Sequence, residues 1–269
     1  APQFSVSEPR APTCRCSTES AADLAEHALT TTTTTTPSAK AVRFPVDATQ
    51  AVSGLLLLPP TPHACFVFAH GAGAGMNHEF MEATAIGLAQ RGVATLRYQF
   101  PFMEHGSKRP DPPPLAQATV RAAVAQAAQL LPKLPLLAGG KSFGGRMTSQ
   151  AHSSLALPGV LGLAFLGFPL HPAGKPGSER GAHLLKLATP MLFLQGTRDE
   201  LADLGLLESL TRQLGARATL CLFEDADHSF HVPARSGRKD ADVLAELLDE
   251  FSYWIDGLCG TAHAPALRR

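Results

Sequence analysis

The sequence predicts an α/β fold in which a mostly parallel sheet of about eight strands is flanked by helices. Three observations lead there. Eight short apolar, β-branched runs recur after residue 40. From the third run onward, amphipathic stretches of helical length alternate with them. The first two runs have no helix between them, so an antiparallel edge precedes a parallel sheet covered on both faces.

Residues 1–40 stand apart, being rich in Ser, Thr, Pro and Ala and carrying a threonine run at 30–36. Such a segment buries too little apolar surface to offset its conformational entropy, and is read as a disordered N-terminal tail. It has no apolar stretch like the core of a secretory signal. Arg10 and Arg15 among Ser and Thr suggest an organellar transit peptide, whereas Glu8, Glu19, Asp23 and Glu26 oppose one. A cytoplasmic location is the expectation, with organellar targeting as the alternative. Strands are expected at 42–46, 52–58, 65–69, 93–98, 136–139, 160–166, 190–195 and 218–223. Asn77 is placed as the cap of a helix ending at residue 90 or 91, with Gly92 as its stop. Further helices are expected at 115–131, 143–153, 201–214 and 239–258. One domain spanning 41–258 follows, with 259–269 as a flexible C-terminal tail. The connection after residue 166 is short, which leaves no room for a large lid domain.

Composition narrows the function classes. Of 269 residues, 45% are hydrophobic and 17% charged, as in a soluble enzyme with a sizeable core. Twenty-three Lys plus Arg balance twenty-three Asp plus Glu, so no net field attracts nucleic acid or an anionic membrane. The apolar run at 160–168 is far shorter than the ~20 residues of a membrane-spanning helix. Five cysteines are scattered at Cys14, Cys16, Cys65, Cys221 and Cys259. Cys14 and Cys16 lack the second pair a zinc site needs, and a reducing compartment is the simplest account.

The chemistry begins at Gly140-Lys141-Ser142-Phe143-Gly144, a G-x-S-x-G segment. Five residues alone are a weak pattern. Here they leave an apolar strand and open a helix, the context in which a strained turn projects a serine hydroxyl above the sheet. The flanking glycines avoid collisions with neighbouring backbone. A phosphate loop is excluded, because position 135 is proline where G-x-x-x-x-G-K-[ST] needs glycine.

A serine hydroxyl becomes nucleophilic when a base takes its proton, and the base needs an orienting carboxylate. Asp199 lies on the loop leaving the strand at 190–195, where it faces the same crevice. Its alternative duty is to cap the helix expected from Leu201, and Glu200 and Asp203 are the nearby substitutes. His228 lies just past the strand at 218–223, with His231 as its competitor. Charge developing on the attacked carbonyl needs N–H donors. One is assigned to Phe143, the other to Ala72 in His70-Gly71-Ala72-Gly73-Ala74-Gly75, with Gly71 and Gly73 as replacements. This spacing does not fit a dinucleotide-binding G-x-G-x-x-G loop. His70 is expected to brace the loop.

Arg97, Phe100, Phe102 and Met103 are candidate substrate-contacting residues. The structural alternative makes Arg97 and Glu104 an ion pair and the apolar residues packing. Lys141 and Arg146 flank the elbow, where salt bridges to nearby carboxylates are expected rather than a role with an anionic substrate.

Together, the glycine-rich loop at 70–75, Arg97-Tyr98-Gln99-Phe100-Pro101-Phe102-Met103-Glu104, the elbow extended through Arg146-Met147, Gly167-Phe168-Pro169-Leu170-His171, Gln195-Gly196-Thr197-Arg198-Asp199 and Ala226-Asp227-His228-Ser229-Phe230 resemble the KANL/Tex-type α/β-hydrolase family. The resemblance covers roughly residues 42–255. It implies an α/β-hydrolase fold like that of dienelactone hydrolases, with Ser142, Asp199 and His228 as the catalytic triad. A chromatin-complex relative implies that such a domain can also serve in an assembly. The resulting expectation is a serine hydrolase acting on a carboxylic ester or thioester of a small-molecule acyl substrate. It needs no metal or cofactor, and oligomeric state stays open. A non-catalytic binding or scaffold module is the alternative, and a peptidase a weaker one.

Overall fold

The computed structural model describes residues 38–260. The readings at 1–37 and 261–269, including Cys14 and Cys16, lie outside them. Eight strands form one sheet in the order β1-β2-β4-β3-β5-β6-β7-β8. They are β1 (Lys40–Pro45), β2 (Ala51–Leu57), β3 (Ala64–Ala69), β4 (Val93–Tyr98), β5 (Leu136–Lys141), β6 (Val160–Leu166), β7 (Met191–Gly196) and β8 (Ala218–Phe223). β2 pairs antiparallel with β1 and β4, and every other pairing is parallel. The fold class read from the sequence therefore stands.

Period-two alternation feeds two hydrophobic layers. Cys65, Val67 and Ala69 of β3 face one layer, with Met191 and Phe193 of β7. Phe66 and Phe68 face the other, with Leu192 and Leu194. Ala116, Val120 and Val124 of α3 (Pro113–Leu130), Met147 and Ala151 of α4 (Phe143–Ser154), and Leu207 and Leu210 of α5 (Leu204–Leu214) close the first layer. Met81 and Leu88 of α1 (Glu79–Gln90) close the second with Val243, Leu247, Phe251 and Ile255 of α6 (Asp240–Cys259). These helices are amphipathic because each has one face against the sheet.

Helix starts differ from the sequence reading for local chemical reasons. The cap of α1 is His78, not Asn77: its ring nitrogen accepts from Phe80 N at 3.2 Å. α3 starts at Pro113, since prolines in a first turn forgo N–H groups that have no helical partner anyway. α5 starts at Leu204 because Asp203, rather than Asp199, caps it through Leu206 N at 2.9 Å. The four-residue α2 (Pro101–Glu104) is too short to leave a periodic signal. At the other end, α6 includes Cys259, with Gly260 as its left-handed cap. The connection between β6 and β7 carries a 3₁₀ segment, Glu179–Lys186, and no lid domain.

The Phe251 ring meets Phe66 edge-on at 4.9 Å and is fully buried between α6 and the sheet. Phe251→Ala should cost about 3–5 kcal/mol of unfolding free energy. Urea denaturation checks this, and a loss below about 1 kcal/mol would show that the α6 layer collapses around the gap.

Candidate active site

β5 runs straight into α4 through a single residue, Ser142, whose backbone adopts φ 51°, ψ −115°. That conformation is unfavourable for a residue with a side chain, and the surroundings impose it. Ser142 N donates to Leu166 O at 3.1 Å, while its carbonyl accepts from Arg146 N at 3.1 Å. A Cβ on Gly144 would lie 2.6 Å from the carbonyl oxygens of both Ala69 and His70, so only glycine lets α4 start this close to β3. The hydroxyl of Ser142 thereby emerges at the carboxyl ends of the parallel strands.

The loops after β7 and β8 meet it there. His228 Nδ1–H donates to Asp199 Oδ2 at 2.7 Å, and Nε2 stands 2.8 Å from Ser142 Oγ as acceptor. The hydrogen-bond network selects this tautomer. The Asp199 side chain is completely buried while that of His228 is 25% exposed, so the carboxylate is shielded from solvent and the imidazole is accessible. Asp199 Oδ1 accepts from Leu201 N at 2.8 Å. The carboxylate thus holds its own turn as well as the imidazole, while the helix-capping duty weighed for it falls to Asp203. His231, the competing base, instead pairs with Asp240 at 2.7 Å on the exposed side of the loop.

Gln195 was missed from the sequence. Its Nε2 donates to Asp199 Oδ2 at 2.5 Å and its Oε1 accepts from Phe168 N at 2.8 Å, tying the carboxylate to the end of β6. One signal pointed to it: an amide in the apolar strand Met-Leu-Phe-Leu-Gln-Gly has to find buried partners.

The glycine-rich loop after β3 is braced as expected. His70 donates from Nδ1 to Gly71 O at 2.7 Å and accepts from Phe100 N at Nε2, 3.0 Å away. Because Gly71 C=O faces this ring, the Ala72 N–H of the same trans peptide points the opposite way. Phe143 is the first residue of α4, whose N–H has no carbonyl within the helix. A Cβ built on Gly71 lies 3.8 Å from Ser142 Cβ, which brings the loop and the elbow into contact.

Other expectations change. Arg97 is buried and donates to Met76 O at 3.0 Å, bracing the loop after β3 from beneath. It makes no pair with Glu104, which bonds Arg43 at 2.9 Å and Ser53 Oγ at 2.7 Å instead. Phe100 is fully buried, packed against Tyr98 and Phe143, and leaves no surface for a ligand. Met103 is half-buried on the same core. Phe102 is also buried in this core, at 3% exposure; it lines a cavity of about 640 Å³ with His105, Arg109 and Asp111, and its ring centroid is 6.2 Å from that of Phe143. The salt bridges foreseen at the elbow are absent among the described residues. Lys141 donates to His228 O, and Arg146 lies over the Phe143 ring at 6.0 Å. Burial and neighbouring Arg180 both press the Arg146 guanidinium toward its neutral form.

Comparison with known proteins agrees with this architecture. Residues 62–256 match the model of a family described as alpha/beta hydrolase domain. A dienelactone hydrolase from Anabaena variabilis superposes with a TM-score of 0.66 at 21% identity, covering 83% of this chain and 99% of its own. A lidless α/β serine hydrolase from Xanthomonas campestris gives 0.64 at 21% identity, covering 81% and 95%. The esterase domain of a Rhodothermus marinus protein gives 0.64 at 18%, covering 82% and 99%.

Burial of the His70 ring pushes its pKa down to about 4, against backbone acceptors that pull it up. The unfolded chain, with a His near 6.5, then binds a proton that the folded chain refuses. Stability from this group is fully present above pH ~6.5 and is lost progressively toward about 4, up to roughly 3 kcal/mol. Urea unfolding from pH 7 to 4.5 should show a shallower decline in His70→Gln, which offers one donor and one acceptor and cannot titrate. Equal slopes in the two proteins would contradict the assignment.

Proposed function

Because the chain belongs to the alpha/beta hydrolase domain family, we propose that it is a serine hydrolase cleaving a carboxylic ester or thioester through an acyl-enzyme on Ser142. The observation that carries this reading is the continuous Asp199–His228–Ser142 chain, with links of 2.7 and 2.8 Å. Within the family, the six motifs around these residues favour the KANL/Tex-type group.

In this mechanism Ser142 Oγ attacks the substrate carbonyl carbon as His228 Nε2 takes its proton. Asp199 keeps Nδ1 as the donor and stabilises the resulting imidazolium. The N–H groups of Phe143 and Ala72 hold the oxyanion, each worth roughly 3 kcal/mol in the transition state. Collapse expels the alcohol or thiol, which leaves with the proton from His228. Water then repeats the sequence on the acyl-enzyme, releasing the acid and restoring Ser142. Every group needed comes from the chain itself, so the reaction calls for no metal or cofactor. The substrate of this reading is a small-molecule acyl compound, with Phe102, whose ring meets that of Phe143, and Met103 as its candidate contacts.

A fluorophosphonate probe should label the wild-type protein and leave Ser142→Ala unlabelled. On p-nitrophenyl esters of graded chain length, Ser142→Ala and His228→Ala should each lose on the order of 10⁴-fold or more in kcat. A folded wild-type protein that takes no label would sink the mechanism and favour a non-catalytic binding or scaffold module.

A further inference from the structure

Lys141 ends β5 and immediately precedes Ser142, yet its half-buried side chain makes no ion pair among the described residues. It donates to the backbone carbonyl of His228. Two stacked rings flank it: Nζ is 5.2 Å from the Phe230 centroid and 5.8 Å from that of Phe80, and the rings are 5.7 Å apart. Gly167, just beyond β6, leaves the remaining space open. A Cβ there would stand 2.9 Å from Lys141 Nζ and 3.3 Å from His228 Nδ1. The charged and titratable groups facing the ammonium are Asp199, on the loop after β7, with Asp227 and His228 on the loop after β8. Both carboxylates have other primary partners. Asp199 accepts from His228 and Gln195, and Asp227 accepts from the N–H groups of Ser229 and His231.

We propose that Lys141 is a positioning residue for His228, its ammonium clamping the carbonyl of the base's own residue to the strand that carries the nucleophile. The proposal rests on the reading of Ser142 and His228 as nucleophile and base. β8 lies at the edge of the sheet and is held by β7 alone, so strand pairing gives the loop beyond Phe223 little help in placing His228. The clamp reaches it from the centre of the sheet and couples the base's backbone to the residue next to the nucleophile. A hydrogen bond from an ammonium is roughly twice as strong as one from a neutral donor. The stacked rings add cation–π attraction for the same charge. Proximity catalysis is intolerant of drift: a misplacement of about 1 Å costs on the order of 10²-fold in rate.

The clamp has a built-in pH dependence. Burial lowers the Lys141 pKa to about 8, against the opposing pull of Asp199 and Asp227. Below that pH the ammonium is charged and the loop is held. Above it the amine is neutral, the bond to His228 O weakens, and turnover falls.

The test follows fluorophosphonate labelling rates of the full chain from about pH 6.5 to 9.5, with kcat and KM on p-nitrophenyl acetate, for wild type, Lys141→Met and Lys141→Gln. Wild type should lose most of its labelling rate across an alkaline limb centred near 8. Lys141→Met, similar in length and uncharged, should lower kcat about 10- to 100-fold with KM within about threefold, and its alkaline limb should vanish. Lys141→Gln, a neutral donor, should recover part of kcat and stay level through alkaline pH. A wild-type rate that stays level to pH ~9.5 overturns the proposal, whether or not the variants fold. So does a folded Lys141→Met protein with wild-type kcat, or one that keeps the alkaline limb. Ser142-dependent labelling in wild type separates these failures from failure of the hydrolase reading, whose loss would remove the proposal too.

Discussion

The site hangs on the backbone of Ser142, forced to φ 51° between the last residue of β5 and the first of α4. Such a conformation costs about 1–3 kcal/mol and persists only where the surroundings overdetermine it. Here they do. The flanking strands β3 and β6 fix β5 on both sides, Leu166 O holds the Ser142 N–H, and Gly144 lets α4 begin against the carbonyls of Ala69 and His70. Relaxing the turn would withdraw the hydroxyl from His228 and lift the helix N-terminus from the place where an oxyanion would form. One strained residue therefore sets both the serine hydroxyl and the start of α4 beside it.

Around this turn the buried polar groups form a bonded network. Asp199 is shared by His228, Gln195 and Leu201 N; Gln195 passes the connection on to Phe168 N. On the other side, His70 joins the loop after β3 to the loop after β4 through Gly71 O and Phe100 N. Arg97 adds a third brace through Met76 O. Buried polar groups of this kind are costly when unpaired and rigid when paired. They tie together the loops that follow β3, β4, β6, β7 and β8, which would otherwise vary.

The misreadings share one cause. Arg97 and Glu104 have opposite charges near one another in the chain, yet β4 directs one inward to Met76 O while α2 hands the other to Arg43 and Ser53. Lys141 and Arg146 read as surface cations in search of carboxylates, whereas the fold covers both with aromatic rings. Phe100 reads as a pocket wall, but its fully buried ring belongs to the core and its backbone N–H to His70. In each case residue type and spacing were right, and the partner lay on an element remote in sequence.

Local periodicity and chain order were legible before folding: eight strands with their two-sided apolar alternation, an antiparallel edge followed by a parallel sheet, and Ser142, Asp199 and His228 just after β5, β7 and β8. Those features survive because they depend on neighbours two to four residues away, where burial and backbone sterics act directly. Folding in three dimensions was needed to bring Gln195 to Asp199, His70 to both a loop and its neighbour, and Lys141 past Ser142 to the backbone of His228. A buried polar group takes whichever partner the packed loops bring within about 3 Å, and no one-dimensional pattern records that meeting. Ser142 was legible because its turn is local; the contacts that hold His228 beside it are assembled from four separate strand ends.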